Sequence, residues 1–460
     1  MYKEAIQDAI SMHELPSKWR SEVLNEANHV AKKKKSAKYR KDLRKLPFAT
    51  IDGEDAKDFD DAVYCEKNSN GYKLYVAIAD VSFYVEPGSK LDKEAKKRGT
   101  SIYFPETVIP MLPENLSNGI CSLRPNEDRC SMICEMSIGL DGTRKKYKFY
   151  SGLINSKARL TYSQVEKHLQ TSANIKQAIV RESIKHLFDL TNIRLKLRNE
   201  RKALEINPKE AILKLSKNKE VTNIVIKKTL FAHKLVEESM LLANESAAEF
   251  MQERLDLGVY RIHEDPDPSK LETLKKHFKI PTQIAKKLSP LEVINRCLQE
   301  AHNKKDDTGQ ILVLQTLARA EYSTNNLGHF GLQLKQYSHF TSPIRRYPDL
   351  LVHRLINSSL AHKKPGIRQN ELQDECENSS MLERRAEKAS RQVEQVLICS
   401  YLKTKIGSTM DGVITGVTDF GLFINLEPYF ISGLLHVSDL PDDRYQFLQD
   451  RSALKGKRRG

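Results

Sequence analysis

TIDGEDAKDFDDAV, residues 50–63, places Asp52, Asp58, Asp60 and Asp61, with Glu54 and Asp55, inside ten positions of a chain whose formal charge is +15. FATI (48–51) before it and AVYC (62–65) after it alternate as strands do, so the carboxylates share one connecting loop. Four like charges in a poorly solvated loop repel by several kcal/mol or shift their pKa values upward until some are neutral. A bound dication removes that penalty. Hard oxygen ligands without thiols or imidazoles favour magnesium or manganese over zinc. An EF-hand is excluded: counting from Asp52, the sixth position is Lys57 rather than Gly and the twelfth is Val63 rather than Glu. The bland alternative is a solvated acidic turn, against which the flanking apolar strands weigh.

Outward from the loop, residues 1–30 read as one or two short helices. AKKKKSAKYRKDLRK (31–45) is a basic run that suits either a solvated linker or a phosphate-tracking arm. From Pro47 to about residue 155 the pattern is strand-like, through YKLYVAIADVSFYV, SIYF and SMICEMSIGL. From 161 it becomes helical: SQVEKHL, a stretch near 173–200, and TLFAHKLVEESMLLANESAAEFM (229–251) repeat apolar residues at three and four. Helices are also expected through YPDLLVHRLINSSL and over 371–404. Strands first and helices later is an α+β arrangement. Near 405 short strands and glycine turns return, as in a small β-barrel. The expected division is a helical and basic segment (1–45), a mixed-sheet domain wrapped by helices (46–404) and a partial barrel (405–460).

The chain's 460 residues allow two or three domains, and 39% hydrophobic with 29% charged residues is ordinary for a globular protein. The excess of 75 Lys and Arg over 60 Asp and Glu points to a polyanionic partner, nucleic acid above all. MYKEAIQDAISMHEL lacks a signal peptide's apolar core, and no apolar run reaches the roughly 18 to 20 residues of a membrane span. The chain therefore reads as cytoplasmic, with no membrane partner. Its cysteines, 65, 121, 130, 134, 297, 376 and 399, show no CxxC pairing and read as reduced thiols; CSMIC (130–134) reads as a strand rather than a zinc site.

A second constellation is NNLGHFGLQLKQYSHFTSPIRRYPDLLVHR (325–354). Ser342 can cap a helix whose first position is Pro343, with Arg345 and Arg346 projecting from the first turn as a phosphate-binding fork. His329, Tyr337, His339 and Tyr347 could stack on bases or could be structural. Beside a carboxylate cluster, such an anion site indicates phosphodiester chemistry.

The acidic loop, followed by VAIADVSFYV, GTSIYFPETVIPMLP, NGICSL, RLTYSQV, HKLVEESMLLANESAA and GHFGLQLKQYSHFTSPIRRYPDLLVHR, resembles the catalytic domain of the RNase II family from about residue 5 onward. The resemblance implies a hydrolytic, processive 3′-to-5′ exoribonuclease that acts on single-stranded RNA with magnesium and releases nucleoside 5′-monophosphates. It implies a metal-binding quartet at Asp52, Asp58, Asp60 and Asp61, with Asp60 the most important for chemistry, and a catalytic arginine at Arg345. It also implies an RNA-end glutamate at Glu238, with Glu237 an open alternative, and a stacking tyrosine at Tyr103. Two magnesium ions bridged by the aspartates are the implied catalytic centre. Where relatives often place an aromatic on the terminal base, ALEINP offers only Ile206, which leaves end-product length open.

IGSTMDGVITGVTDFGLFINLEPYFISGLLHVSDLPDD (406–443) resembles an S1 RNA-binding domain, in which Phe420, Phe423 and His436 are stacking candidates or barrel core. The family usually begins with two cold-shock-type barrels, and an S1 barrel needs roughly 70 residues, so a shortened form lacking the first and incomplete in the second is expected. The rival readings are a non-catalytic RNA-binding fragment and a metal-dependent endoribonuclease.

Overall fold

A computed structural model describes the chain except residues 34–38, 172–174, 207–209, 305, 441–442, 449–452 and 458–460. Part of the basic run at 31–45 lies outside the described residues. In its remainder, Arg40 is buried against Asp80 at 2.6 Å, and Arg44 pairs with Asp42 at 2.7 Å and Asp128 at 3.0 Å.

Helices α1 (Tyr2–Met12) and α2 (Ser21–Val30) precede strands β1 (Lys41–Asp42), β2 (Ala49–Asp52), β3 (Asp61–Asn68) and β4 (Gly71–Ala79). Helix α3 (Lys90–Arg98), the hairpin β5 (Ile102–Phe104) and β6 (Thr107–Ile109), and strands β7 (Asp128–Gly139), β8 (Arg144–Asn155) and β9 (Ala158–Thr161) follow. One seven-stranded mixed sheet runs β1-β8-β7-β4-β3-β2-β9, with the β1/β8 and β2/β9 pairs parallel. Its central strand β4 is buried at every position but Lys73, as expected of a strand covered on both faces.

Helices α4 (Tyr162–Thr171), α5 (Ala178–Glu200) and α6 (Phe231–Arg254) come next, with the hairpin β10 (Ala211–Leu215) and β11 (Val221–Ile226) before α6. Helix α5 packs on β3 and α6 on β4. Small residues Ala232, Ala243, Ser246, Ala247 and Ala248 let α6 sit inside the core, and the hydroxyls of Ser239 and Ser246 donate to the carbonyls of Leu235 and Leu242. Strands β12 (Tyr260–Ile262) and β13 (Glu321–Ser323) pair around an insertion of α7 (Pro268–His277), α8 (Thr282–Ala285), α9 (Pro290–Asn303) and α10 (Asp307–Thr316), which has its own core of Leu271, Leu274, Val293, Ile294 and Cys297. Helices α11 (Tyr347–Leu360) and α12 (Gln369–Lys403) complete this part.

Two expected elements end or begin elsewhere. The strand through YKLYVAIADVSFYV stops at Ala79, because the Asp80 carboxylate accepts from Phe83 N–H (3.2 Å) and the Ser82 hydroxyl (2.6 Å) and turns the chain into a 3₁₀ segment. The helix expected to start at Pro343 starts at Tyr347. The Arg345 carbonyl is taken by Ser101 N–H (2.9 Å) and the Thr100 hydroxyl (3.0 Å), and Arg346 stays extended as the N-cap residue, bridged to Thr100. Residues 342–346 are therefore a turn, closed by the N–H groups of Arg345 and Arg346 on the Ser342 carbonyl.

After α12, β14 (Gly412–Thr418), β15 (Gly421–Leu426) and β16 (Ile431–His436) form one antiparallel sheet, and β17 (Tyr445–Leu448) and β18 (Ala453–Gly456) a separate hairpin. No helix among the described residues is long and apolar enough to cross a membrane. Cys130 and Cys134 are buried in β7, where a strand was expected.

Candidate active site

Strands β2 and β3 pair only at Ala49 and Val63, so the ladder is open at the end where Asp52 and Asp61 stand. The loop between them is held by its backbone. Gly53 N–H donates to Asp52 Oδ1 (2.8 Å), Phe59 N–H to Ser122 Oγ (3.0 Å), the Ser122 hydroxyl to the Lys57 carbonyl (2.7 Å), and Ala79 N–H to the Asp60 carbonyl (2.8 Å). These bonds leave the carboxylates to face a cleft of about 1300 Å³, lined by all four aspartates together with Tyr103 and Arg345.

Asp60 is 5% exposed. Burial pushes its carboxyl well above the usual range, and the charges of Asp58 and Asp61 add to that; Arg345 and the Ile344 N–H pull it back. Asp61 rises to about 7, first through burial and then through Asp52, and Asp52 rises through burial and Asp58. Ile344 N–H donates to Asp60 Oδ1 at 2.8 Å, and Arg345 Nε lies 3.9 Å from Asp60 Oδ2. Two stretches 284 positions apart in sequence thus meet at one carboxylate.

Among the described residues, no three His, Cys, Asp or Glu side chains are gathered closely enough to hold one ion as they stand. The four aspartates of the expected cage are instead spread around a cleft. The donor set suits a hard dication: every candidate is a carboxylate oxygen, and burial has made protons or a cation the means of neutralising Asp60 and Asp61.

The arginine fork divides. Arg345 faces the cleft with its side chain 42% exposed, whereas Arg346 is 15% exposed and turned inward onto Asp349 Oδ1 at 2.8 Å. Arg346 still borders the cleft, with its guanidinium engaged by Asp349 in the first turn of α11. Tyr103, in β5, is 47% exposed, and its hydroxyl donates to Asp58 Oδ2 at 3.4 Å. Glu238 is 1% exposed and held between Arg198 Nη1 (3.2 Å) and Arg194 Nε (3.7 Å), while Glu237 is exposed on the cleft wall and bonds Arg198 Nη1 at 2.7 Å. Consecutive helix positions point about 100° apart, and here the outward one is Glu237.

Tyr337 and His339 line the cleft floor, Tyr337 accepting from Asn244 Nδ2 (3.1 Å) and His339 Nδ1 bonding the Tyr322 hydroxyl (2.8 Å). His329 packs edge-on to His263, and Tyr347 is buried with its hydroxyl on Asp92. Ile206 packs on the core of the helical insertion and lines a smaller cavity of about 410 Å³. Phe420 and His436 are exposed; Phe423 stands edge-on to Phe420 at 6.0 Å and lines a cavity between β14, β15 and helices α7 and α10. Two residues of the site escaped sequence reasoning. Ser122 anchors the acidic loop, and Tyr162 lines the cleft while stacking on His233 at 4.1 Å. Both lie in quoted motifs, NGICSL and RLTYSQV, but no local pattern marks either one.

An RNB domain matches residues 40–362 and an S1 RNA binding domain residues 403–458. Ribonuclease R of Escherichia coli (strain K12) is 40% identical, the match covering 99% of this chain and 58% of the relative. Ribonuclease R of Thermotoga maritima is also 40% identical, covering 99% and 66%. The chain thus spans little more than half the length of the first of these curated relatives. The structure of Mycoplasma genitalium RNase R in complex with ribose methylated single-stranded RNA superposes with a TM-score of 0.93 at 30% identity, over 100% of this chain and 73% of that one. Yeast Ssd1, a pseudonuclease, shares the fold at a TM-score of 0.76 and 18% identity, over 98% of this chain and 58% of its own, so fold alone does not decide activity. With the RNB match running through most of its length, together with ribonuclease R relatives at 40% identity, this chain belongs to the RNB-domain family.

Proposed function

We propose that the chain is a hydrolytic exoribonuclease that degrades single-stranded RNA processively from the 3′ end to nucleoside 5′-monophosphates, in cytoplasmic RNA turnover. The observation that carries this is the meeting of the acidic loop with the 342–346 turn, which sets a cation and a backbone donor against the buried Asp60 of that loop. The RNA complexes of Mycoplasma genitalium RNase R, with single-stranded and with double-stranded RNA, support RNA as the ligand class.

Asp52, Asp58, Asp60 and Asp61 would hold two magnesium ions, with manganese as a substitute. When bound, these supply Lewis-acid activation of water and neutralise charge at the scissile phosphate. The protein's own groups do the rest. Ile344 N–H fixes Asp60 by one oxygen and leaves the other toward the cleft. Arg345, tied to Ser342 Oγ at 3.0 Å, neutralises charge on the non-bridging phosphate oxygens. The exposed ring of Tyr103 offers a stacking face near the cleaved end, with its hydroxyl tethered to Asp58. Glu237 is the better-placed acceptor for the hydroxyls of the terminal ribose; Glu238 is already engaged by two arginines. Phe420 and His436 add stacking surface on the S1 sheet, and the net positive charge draws the polyanion.

The test is single-stranded RNA labelled at its 5′ end, incubated with magnesium or with EDTA, with wild type or Asp60→Asn, beside a circular RNA. A ladder shortening from the 3′ end with mononucleotides, absent with EDTA and Asp60→Asn, and an intact circle support the reading. Discrete internal cuts or a degraded circle would replace it by an endoribonuclease, and a gel shift without degradation by an RNA-binding fragment.

A further inference from the structure

Asp349 has no exposed surface, yet its Oδ1 accepts two hydrogen bonds, from Ser342 N–H at 2.8 Å and from Arg346 Nη2 at 2.8 Å. Its Oδ2 and the Nε of Arg346 are buried with no hydrogen-bond partner. Such a pair is a poor stability device, since taking both charges out of water costs several kcal/mol per ion. What it does is geometric. It clamps the first residue of the 342–346 turn to the first turn of α11, from one side, while Thr100 and Ser101 hold the Arg345 carbonyl from the other.

Between these two clamps lie the groups that meet the acidic loop. Ile344 N–H reaches Asp60 Oδ1, and the Arg345 guanidinium rests on Ser342 Oγ, on the very residue whose N–H Asp349 grips. Around Arg346 stand Tyr322 and Tyr337, and nearby Arg261 is paired with Glu383, while Asp349 is the carboxylate that pairs with Arg346.

We propose that Asp349 and Arg346 act as positioning residues: their buried pair sets the turn so that Ile344 N–H and Arg345 stand against Asp60, and Arg346 itself does not touch RNA. The inference rests on the proposed exoribonuclease reading and assigns the basic dipeptide 345–346 two different jobs. A displacement of about 1 Å in such a turn costs on the order of a hundredfold in turnover, while RNA binding along the rest of the cleft and the S1 sheet is untouched.

The experiment compares Asp349→Asn, Arg346→Lys, Arg346→Gln and the double variant Asp349→Asn/Arg346→Gln in the full chain. Three quantities are read: kcat on short single-stranded RNA, RNA affinity and its salt dependence in EDTA, and amide hydrogen exchange of the peptide spanning 338–346. The expected result is a loss of about a hundredfold in kcat, RNA affinity within twofold of wild type, and faster exchange at 342–346. The double variant should be no worse than the worse single one, because both remove one clamp. Unchanged kcat in folded single variants would overturn the proposal. So would a shallower salt dependence in Arg346→Gln, which would make Arg346 a phosphate contact. If Asp349→Asn fails to fold, Arg346→Lys, which keeps the charge and loses the fork, decides by the same readouts. Wild-type protein that leaves RNA intact would instead refute the exoribonuclease reading itself.

Discussion

Replacing Asp61 by asparagine should stabilise the metal-free protein, although it removes a candidate metal ligand. Asp61 stands at the open end of the β2/β3 ladder, where burial and then the Asp52 charge lift its carboxyl from an ordinary 3.8 to about 7. A carboxyl whose folded value is raised favours the folded state only while protonated. Below pH 3.8 both states carry the proton and nothing is lost. Between 3.8 and about 7 the unfolded chain ionises freely while the folded one retains its proton, so stability falls, and above about 7 the full penalty is in place. That interval corresponds to about 4 kcal/mol. In EDTA at pH 8, Asp61→Asn should therefore unfold roughly 5 °C above wild type, and at pH 4 the two should coincide. Saturating magnesium should reverse the order at pH 8 by stabilising wild type alone. Equal or lower stability of the variant at pH 8 in EDTA, or the same gain at pH 4, would refute the reasoning.

Three other outcomes follow from the geometry. Glu238→Ala, which strands Arg194 and Arg198 without their buried partner, should cost about 3 to 5 kcal/mol in thermal unfolding, whereas Glu237→Ala should leave stability intact and raise KM for RNA. Tyr103→Ala should change the length of the shortest product, seen on a denaturing gel, with divalent-ion uptake unaltered. Phe420→Ala should weaken RNA binding in EDTA by roughly tenfold, the loss of about one stacked base, with the cleavage pattern unchanged.

The acidic loop was legible because everything that defines it is local: a strand, six acids within ten residues, another strand. Helices such as α11 and α12 were also readable, the former spanning YPDLLVHRLINSSL as expected. The turn before α11 was not, because Ser-Pro looks like a helix start unless one knows that Thr100 and Ser101 compete for the Arg345 carbonyl. The pairing of Arg346 with Asp349 was not legible either. Its partner Asp349 is only three residues away, but the burial of that carboxylate is set by the tertiary fold. Glu237 and Glu238 could not be told apart, since only the placement of Arg194 and Arg198 on α5 decides which one faces in.

The most direct test of the whole account is calorimetric titration of the wild-type chain with manganese at pH 7, beside Asp60→Asn. Uptake of divalent ions should be accompanied by proton release, because burial raises the carboxyls of Asp60 and Asp61, the latter to about 7, and a bound ion displaces the protons they retain; uptake should be weakened in the variant. A folded wild-type chain that takes up no manganese, or takes it up equally well without the Asp60 carboxylate, would contradict it.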